Sequence, residues 1–127
     1  MTLYGRVLQL REVSGDVKVG YGATFEAAAG TRIATVGVGY ADGYPRILGN
    51  AALAAVNGVR VPVVGLVSMD LTCVDVTDLG PNDIAVGDYV EMFGDYIEVD
   101  DIAALCSTIS YEILTGLNPR LPRVYVD

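Results

Sequence analysis

Apolar and polar positions alternate along most of this chain, and the alternation breaks at short glycine-rich stretches. Residues 3–13 are rich in apolar and long side chains and stop at Ser14-Gly15-Asp16, a turn signal. Val17, Val19 and Tyr21 alternate with Lys18 and Gly20, as one face of a strand does. Residues 31–40 put Ala34, Val36, Val38 and Tyr40 on one face and Ile33, Thr35, Gly37 and Gly39 on the other. Residues 51–56 and 59–64 flank Asn57-Gly58, a pair that tolerates positive φ and predicts a type I′ hairpin. Residues 66–76 and 88–93 read as further strands. Gly94-Asp95 reads as a turn, followed by a short strand around residues 96–99.

The period changes once. Ile102, Leu105, Cys106 and Ile109 fall at i, i+3, i+4 and i+7, the stripe of an amphipathic helix, with Asp100 or Asp101 placed to cap its start. Residues 110–114 predict a second short helical turn closed by Gly116, and residues 121–126 a last strand. The expected architecture is mainly β: one domain over residues 1–127, a small barrel or sandwich with one or two short helices near the C-terminus.

Composition narrows the function classes. About half of the 127 residues are hydrophobic, enough to bury a core and to exclude disorder. The net charge is −8, and residues 61–119 contain no Lys or Arg. That field repels nucleic acid and anionic membrane surfaces, which need clustered cations. The simpler reading of the acids, Asp75, Asp78, Asp83 and Asp88 among them, is solvated turns between strands. The chain has no histidine, and its two cysteines, Cys73 and Cys106, form no C-x-x-C pair, which argues against a zinc site. Reduced, buried thiols are expected, and neither a signal pattern nor a membrane-length apolar run occurs, so a cytoplasmic location is expected.

Without histidine, a general base must be a tyrosine, Lys18 or a carboxylate. Three clusters qualify. Val19-Gly20-Tyr21-Gly22 sets a phenol between two glycines, where backbone can approach closely. Gly39-Tyr40-Ala41-Asp42-Gly43-Tyr44-Pro45-Arg46 gathers two tyrosines, an acid and an arginine around a turn. Gly65-Leu66-Val67-Ser68-Met69-Asp70 is the third. Each also has a purely structural reading: groove-filling tyrosines, an Asp-Gly turn, and a strand with core beside surface.

Taken in order with Pro62-Val63-Val64-Gly65, Thr108-Ile109-Ser110-Tyr111-Glu112 and Arg120-Leu121-Pro122-Arg123-Val124-Tyr125, these segments resemble the C-terminal β-domain of alanine racemase. The likeness runs from about Leu3 to Val126. It implies a pyridoxal-phosphate enzyme that interconverts L- and D-alanine for bacterial cell walls. In that family an N-terminal α/β barrel carries the Schiff-base lysine and most of the phosphate site, and this chain contains none of it. Two subunits pair head to tail, so one subunit's C-terminal domain completes its partner's active site. By resemblance Tyr21 is the base on one face of the substrate. Tyr40 lines the substrate entrance, and the Met69 backbone N–H meets the substrate carboxylate beside Asp70. Tyr111 reaches the cofactor phosphate of its own subunit, and Asp42 and Arg46 belong to the entrance. The family's arginine after Pro-x-Val-Gly is Leu66 here, which removes a charge from the entrance.

The resemblance implies a fragment that neither binds the cofactor nor racemises alone, because proximity of lysine, tyrosine and cofactor supplies much of the rate. The alternatives are a non-catalytic β-module for dimerisation or partner binding, and a relative that racemises another amino acid. A nucleic-acid-binding β-barrel is disfavoured by the acidic field.

Overall fold

The computed structural model describes residues 1–13, 17–19, 25–119 and 121–124; of residues 17–19, 25 and 26 only the backbone is described. Among the described residues, eight strands and two α-helices are joined by turns, two of them short 3₁₀ turns at Tyr40–Asp42 and Arg46–Leu48. Strands β1 (Leu3–Glu12), β2 (Val17–Val19), β3 (Phe25–Ala27) and β4 (Arg32–Val36) come first. Strands β5 (Leu53–Val56), β6 (Val59–Val64), β7 (Thr72–Asp75) and β8 (Tyr89–Phe93) follow, then helices α1 (Val99–Leu105) and α2 (Ser110–Thr115). Six strands close into a barrel in the order β1-β4-β7-β6-β5-β8, and every pairing is antiparallel. Closure leaves those strands no open edge. The mainly β fold with short late helices is the expected one.

Strand β1 spans two neighbours. Its first half pairs with β8, from Leu3↔Phe93 to Arg6↔Tyr89, and its second half with β4, from Val7↔Val36 to Glu12↔Arg32. Leu3, Gly5 and Val7 point inward on the period of two that the sequence carries. Leu3 and Val7 join Ala34, Val36, Ala54, Val56, Val63, Val74, Val90 and Met92 in the main core. A smaller cluster of Val13, Ala27, Ile33 and Val64 lies apart from it and ties β3 to the barrel. Ile33 and Ala34 are neighbours in β4, so the two clusters use opposite faces of that strand.

The hairpin turn is confirmed: Asn57 and Gly58 have φ of 49° and 80°, the two positive values that a type I′ turn needs. Four expectations about strands are corrected. Strand β4 ends at Val36 rather than Tyr40, because its partner β7 begins at Thr72 and the chain then turns aside. Strand β7 is shorter than residues 66–76, because residues 68–71 form a turn that Ser68 closes from both sides. Its hydroxyl donates to the Leu71 carbonyl and accepts the Leu71 N–H, each at 3.1 Å. No strand forms at 96–99. The N–H groups of Asp95, Tyr96 and Ile97 all donate to the buried Glu91 carboxylate, at 3.2, 2.8 and 2.8 Å, and are lost to any ladder. Residues 121–124 are not in a strand, and residues 125–127 lie outside the described ones.

The helical stripe is only partly used. Ile102 is buried, but Leu105 and Ile109 are exposed. Helix α1 stops at Leu105, and Ser107 at φ 56° turns the chain out of helical register before Ile109. Asp100 and Asp101 sit in the first turn of α1 instead of capping it by a side-chain bond, and Gly116 follows α2 as expected. The acidic stretch is largely turn chemistry. Asp75 accepts the Thr77 N–H, Asp83 that of Gly80 and Asp88 that of Ala85. Both cysteines are free thiols, half-buried rather than buried. Among the described residues no helix is long and apolar enough to cross a membrane.

Candidate functional site

Two of the three clusters singled out in the sequence meet at one end of the barrel. After β4 the chain makes a single 3₁₀ turn, Tyr40–Asp42, none of whose residues is buried. That turn cannot be placed by its own packing. Backbone bonds place it instead: the Tyr40 N–H donates to the Ser68 carbonyl at 3.0 Å and the Ala41 N–H to the Met69 carbonyl at 2.9 Å. The approach is close enough to require glycine, since a Cβ on Gly39 would stand 2.3 Å from the Ser68 carbonyl oxygen. Behind the contact, the buried Thr72 hydroxyl donates to the Val38 carbonyl at 2.6 Å. A buried hydroxyl bonded to backbone fixes the angle between the two segments.

The Asp42 carboxylate folds back and accepts the Gly39 N–H at 3.0 Å, closing the turn in the manner of a capping box. Gly43 then takes φ 102°, and a Cβ there would lie 2.5 Å from the Gly116 carbonyl oxygen, just past α2. Both the left-handed conformation and the contact exclude a side chain. The third segment is joined by Asn118, whose N–H donates to the Asp42 carbonyl at 3.0 Å and whose side-chain amide donates to the Ala41 carbonyl at 3.1 Å.

Tyr44 is fully buried, and among the described residues its hydroxyl finds no hydrogen-bond partner. Burial pushes its phenol well above the ordinary range, with a smaller push from Cys106. The Cys106 thiol is itself raised, by burial first and then by Glu112. The neighbouring residues are presented differently. Tyr40 is 44 % exposed and Met69 53 %, and Asp70 and Arg46 are also exposed. Among the described residues no acceptor takes the Met69 N–H. Tyr111 stands on the first turn of α2 and is 75 % exposed.

The structure thus joins the turn that carries Tyr40 and Asp42 directly to Ser68 and Met69, beside which Asp70 stands exposed, and joins α2, which carries Tyr111, through residues 116–118. Tyr21 lies outside the described residues; in sequence it falls between β2 and β3, which pair from Val17↔Ala27 to Val19↔Phe25. Sequence reasoning missed Asn118 and Thr72. Their only signals were a polar residue closing α2 before a proline, and a threonine opening a strand. An open groove of about 580 Å³ lined by Leu53, Arg60, Tyr96, Ile102 and Leu105 includes none of the candidate residues. Its one guanidinium is engaged, since Arg60 donates twice to the Tyr96 carbonyl.

Around this backbone-bolted turn Tyr40, Met69 and Tyr111 are exposed. Comparison with known proteins gives the family. The model of the alanine racemase C-terminal domain family matches residues 1–125. The chain belongs to that family. The alanine racemase of Rhodospirillum rubrum is 50 % identical over 123 residues, 97 % of this chain and 33 % of that protein. That of Stutzerimonas stutzeri is 44 % identical over 126 residues, 99 % of this chain and 35 % of that protein. Among solved structures, the biosynthetic alanine racemase of Pseudomonas aeruginosa superposes with a TM-score of 0.90 at 44 % identity, over all of this chain and 35 % of that one. The Bartonella henselae enzyme, which carries covalently bound pyridoxal phosphate, gives 0.91 at 38 %, over 98 % of this chain and 34 % of that one. The alanine racemase C-terminal domain described here therefore spans about a third of the length of the relatives it matches.

Proposed function

We propose that this domain completes the active site of a pyridoxal-phosphate-dependent alanine racemase, with Tyr21 as one of the two bases that exchange the α-proton. The observation that carries the reading is the bolted pair of segments 39–44 and 68–70. Tyr40, Met69 and Asp70 on these segments are exposed, whereas Tyr44 is sealed behind them, which suits a surface completed by another chain.

Racemisation needs a proton donor and acceptor on both faces of a planar carbon. Bound pyridoxal phosphate supplies the electron sink that makes the carbanion accessible. The cofactor's attachment lysine and most of its phosphate site belong to the N-terminal α/β barrel. This chain has one lysine, Lys18, and its exposed Tyr111 phenol suits one contact to a phosphate oxygen. A phenol near its reference pKa of about 10 is a weak base at neutral pH, so Tyr21 depends on positive charge contributed by that barrel. The Met69 N–H receives the substrate carboxylate. Tyr40, Asp70, Asp42 and Arg46 shape the entrance, Asp42 through the turn it closes. Leu66 leaves that entrance one cation poorer than the family pattern. In a head-to-tail homodimer each domain serves the partner's barrel, and the isolated domain binds no cofactor and turns nothing over.

The test supplies this chain to an alanine racemase barrel whose own C-terminal base tyrosine has been replaced, and assays D-alanine formed from L-alanine. Activity restored by the chain and lost with Tyr21→Phe is the expected outcome. Restoration that survives Tyr21→Phe would remove the base from this domain. Turnover by the domain alone would overturn the shared-site reading.

A further inference from the structure

We infer that Asn118 is a positioning residue for the substrate entrance: it holds the Tyr40 turn to the C-terminal end of α2, so that the elements carrying Tyr40 and Tyr111 are set by one joint. The inference deepens the reading above and rests on it for its catalytic consequence. The joint itself rests on geometry alone.

The 3₁₀ turn Tyr40–Asp42 has no buried residue of its own, so polar contacts locate it between the buried Val38 and Tyr44. On one side are the bonds to the Ser68 and Met69 carbonyls. The Thr72 hydroxyl on the Val38 carbonyl supports the same side, where the chain leaves β4. The second side is Asn118, which grips two successive carbonyls: Ala41 through its side-chain amide at 3.1 Å and Asp42 through its backbone at 3.0 Å. Two donors on adjacent carbonyls make a clamp, a second attachment of the turn beside the one at Ser68 and Met69. Three features keep the clamp in place. Gly43 permits an approach to the backbone of residues 116–117 that any Cβ would block. Leu117, next to Asn118, is buried in the main core. Pro119 follows, with φ fixed by its ring. Helix α2 is thereby registered against the turn through residues 116–118, which follow its last residue Thr115, while Tyr111 stands at its first turn. A shift of either element must move the other or break the clamp. Geometry at an entrance matters at this scale, since misplacing a substrate-guiding group by about 1 Å costs up to about a hundredfold in rate.

The experiment compares hydrogen exchange of the Tyr40 and Ala41 amides in the wild-type chain, Asn118→Ala and Asn118→Asp. Asp keeps the shape, removes the donor and leaves the backbone bond intact, so it decides the matter if Ala does not fold. Exchange at Tyr40 and Ala41 is expected to quicken about tenfold in both variants, with β1, β4 and β7 amides unchanged. Rates within about twofold of wild type overturn the joint, as does a loss of protection spread evenly over the barrel strands. The same variants are then assayed in the chain joined to its α/β barrel. A rise of about fivefold in KM for alanine with kcat nearly constant and an unshifted pH profile is expected of an entrance that is misplaced while the bases are intact. A fall in kcat at constant KM, with the amides loosened, would remove the entrance role and leave only the joint. An inactive wild-type fusion would sink the racemase reading, and the exchange measurement would still decide the joint.

Discussion

At the scale of single residues, Tyr44 is the least expected feature. Tyr40 and Tyr44 lie four apart in one motif, and nothing in the sequence says that the first faces solvent while the second is sealed. The difference arises because Gly43 reverses the chain between them against residues 116–117. The buried Tyr44 hydroxyl has no described partner, so Tyr44→Phe removes an unsatisfied polar group and keeps the ring. Stability at pH 7, measured by chemical denaturation, is expected to stay level or rise by about 1 kcal/mol. Alkaline pH sharpens the test. The folded phenol ionises only well above the unfolded one, so above about pH 10 the unfolded chain loses a proton that the folded chain keeps, and stability falls as pH rises. Cys73 and Cys106, both raised chiefly by burial, start the same fall from their own unfolded range, below that of tyrosine. The wild-type protein is therefore expected to lose stability in two stages on the alkaline side, and Tyr44→Phe to abolish the second. An identical decline in both proteins would show that the phenol titrates freely.

At the scale of elements, what was legible followed from period and turn chemistry. The alternation in β4, the Asn57-Gly58 hairpin and the Gly116 stop after α2 were all readable, because each is decided by neighbours in sequence. What was not readable depended on distant donors. The run after β8 has the residues of a strand, yet its N–H groups belong to Glu91, a carboxylate that looks in sequence like one more surface acid. Glu91→Ala leaves the N–H groups of Asp95, Tyr96 and Ile97 without their acceptor. It is expected to cost about 3 kcal/mol, read from the denaturation midpoint at neutral pH. A loss below about 0.5 kcal/mol would mean that water replaces the carboxylate without penalty. The candidate site divides the same way. Its motif residues were legible through the family resemblance. The Asn118 clamp was not, because it joins positions 41 and 118, which only the closed barrel brings together.

At the scale of the whole molecule, the barrel joins residues that are far apart in the chain. Leu3 pairs with Phe93, ninety positions later, while Val7 pairs with Val36. On a ribosome making about 5–20 residues each second, β1 emerges roughly 5–20 seconds before the strand that completes it. In that interval the half of β1 beyond Val7 can find β4, but Leu3–Arg6 and the outer side of β5 both await β8. A nascent chain halted before Tyr89 therefore carries two unpaired, apolar strand edges at once. Such a truncated chain is expected to sediment as soluble aggregates, where the chain through residue 127 sediments as a discrete species. Synthesis of this domain thus passes through an adhesive stage that ends with the last five-residue strand, and a chaperone's opportunity to bind is set by translation speed rather than by stability of the finished fold.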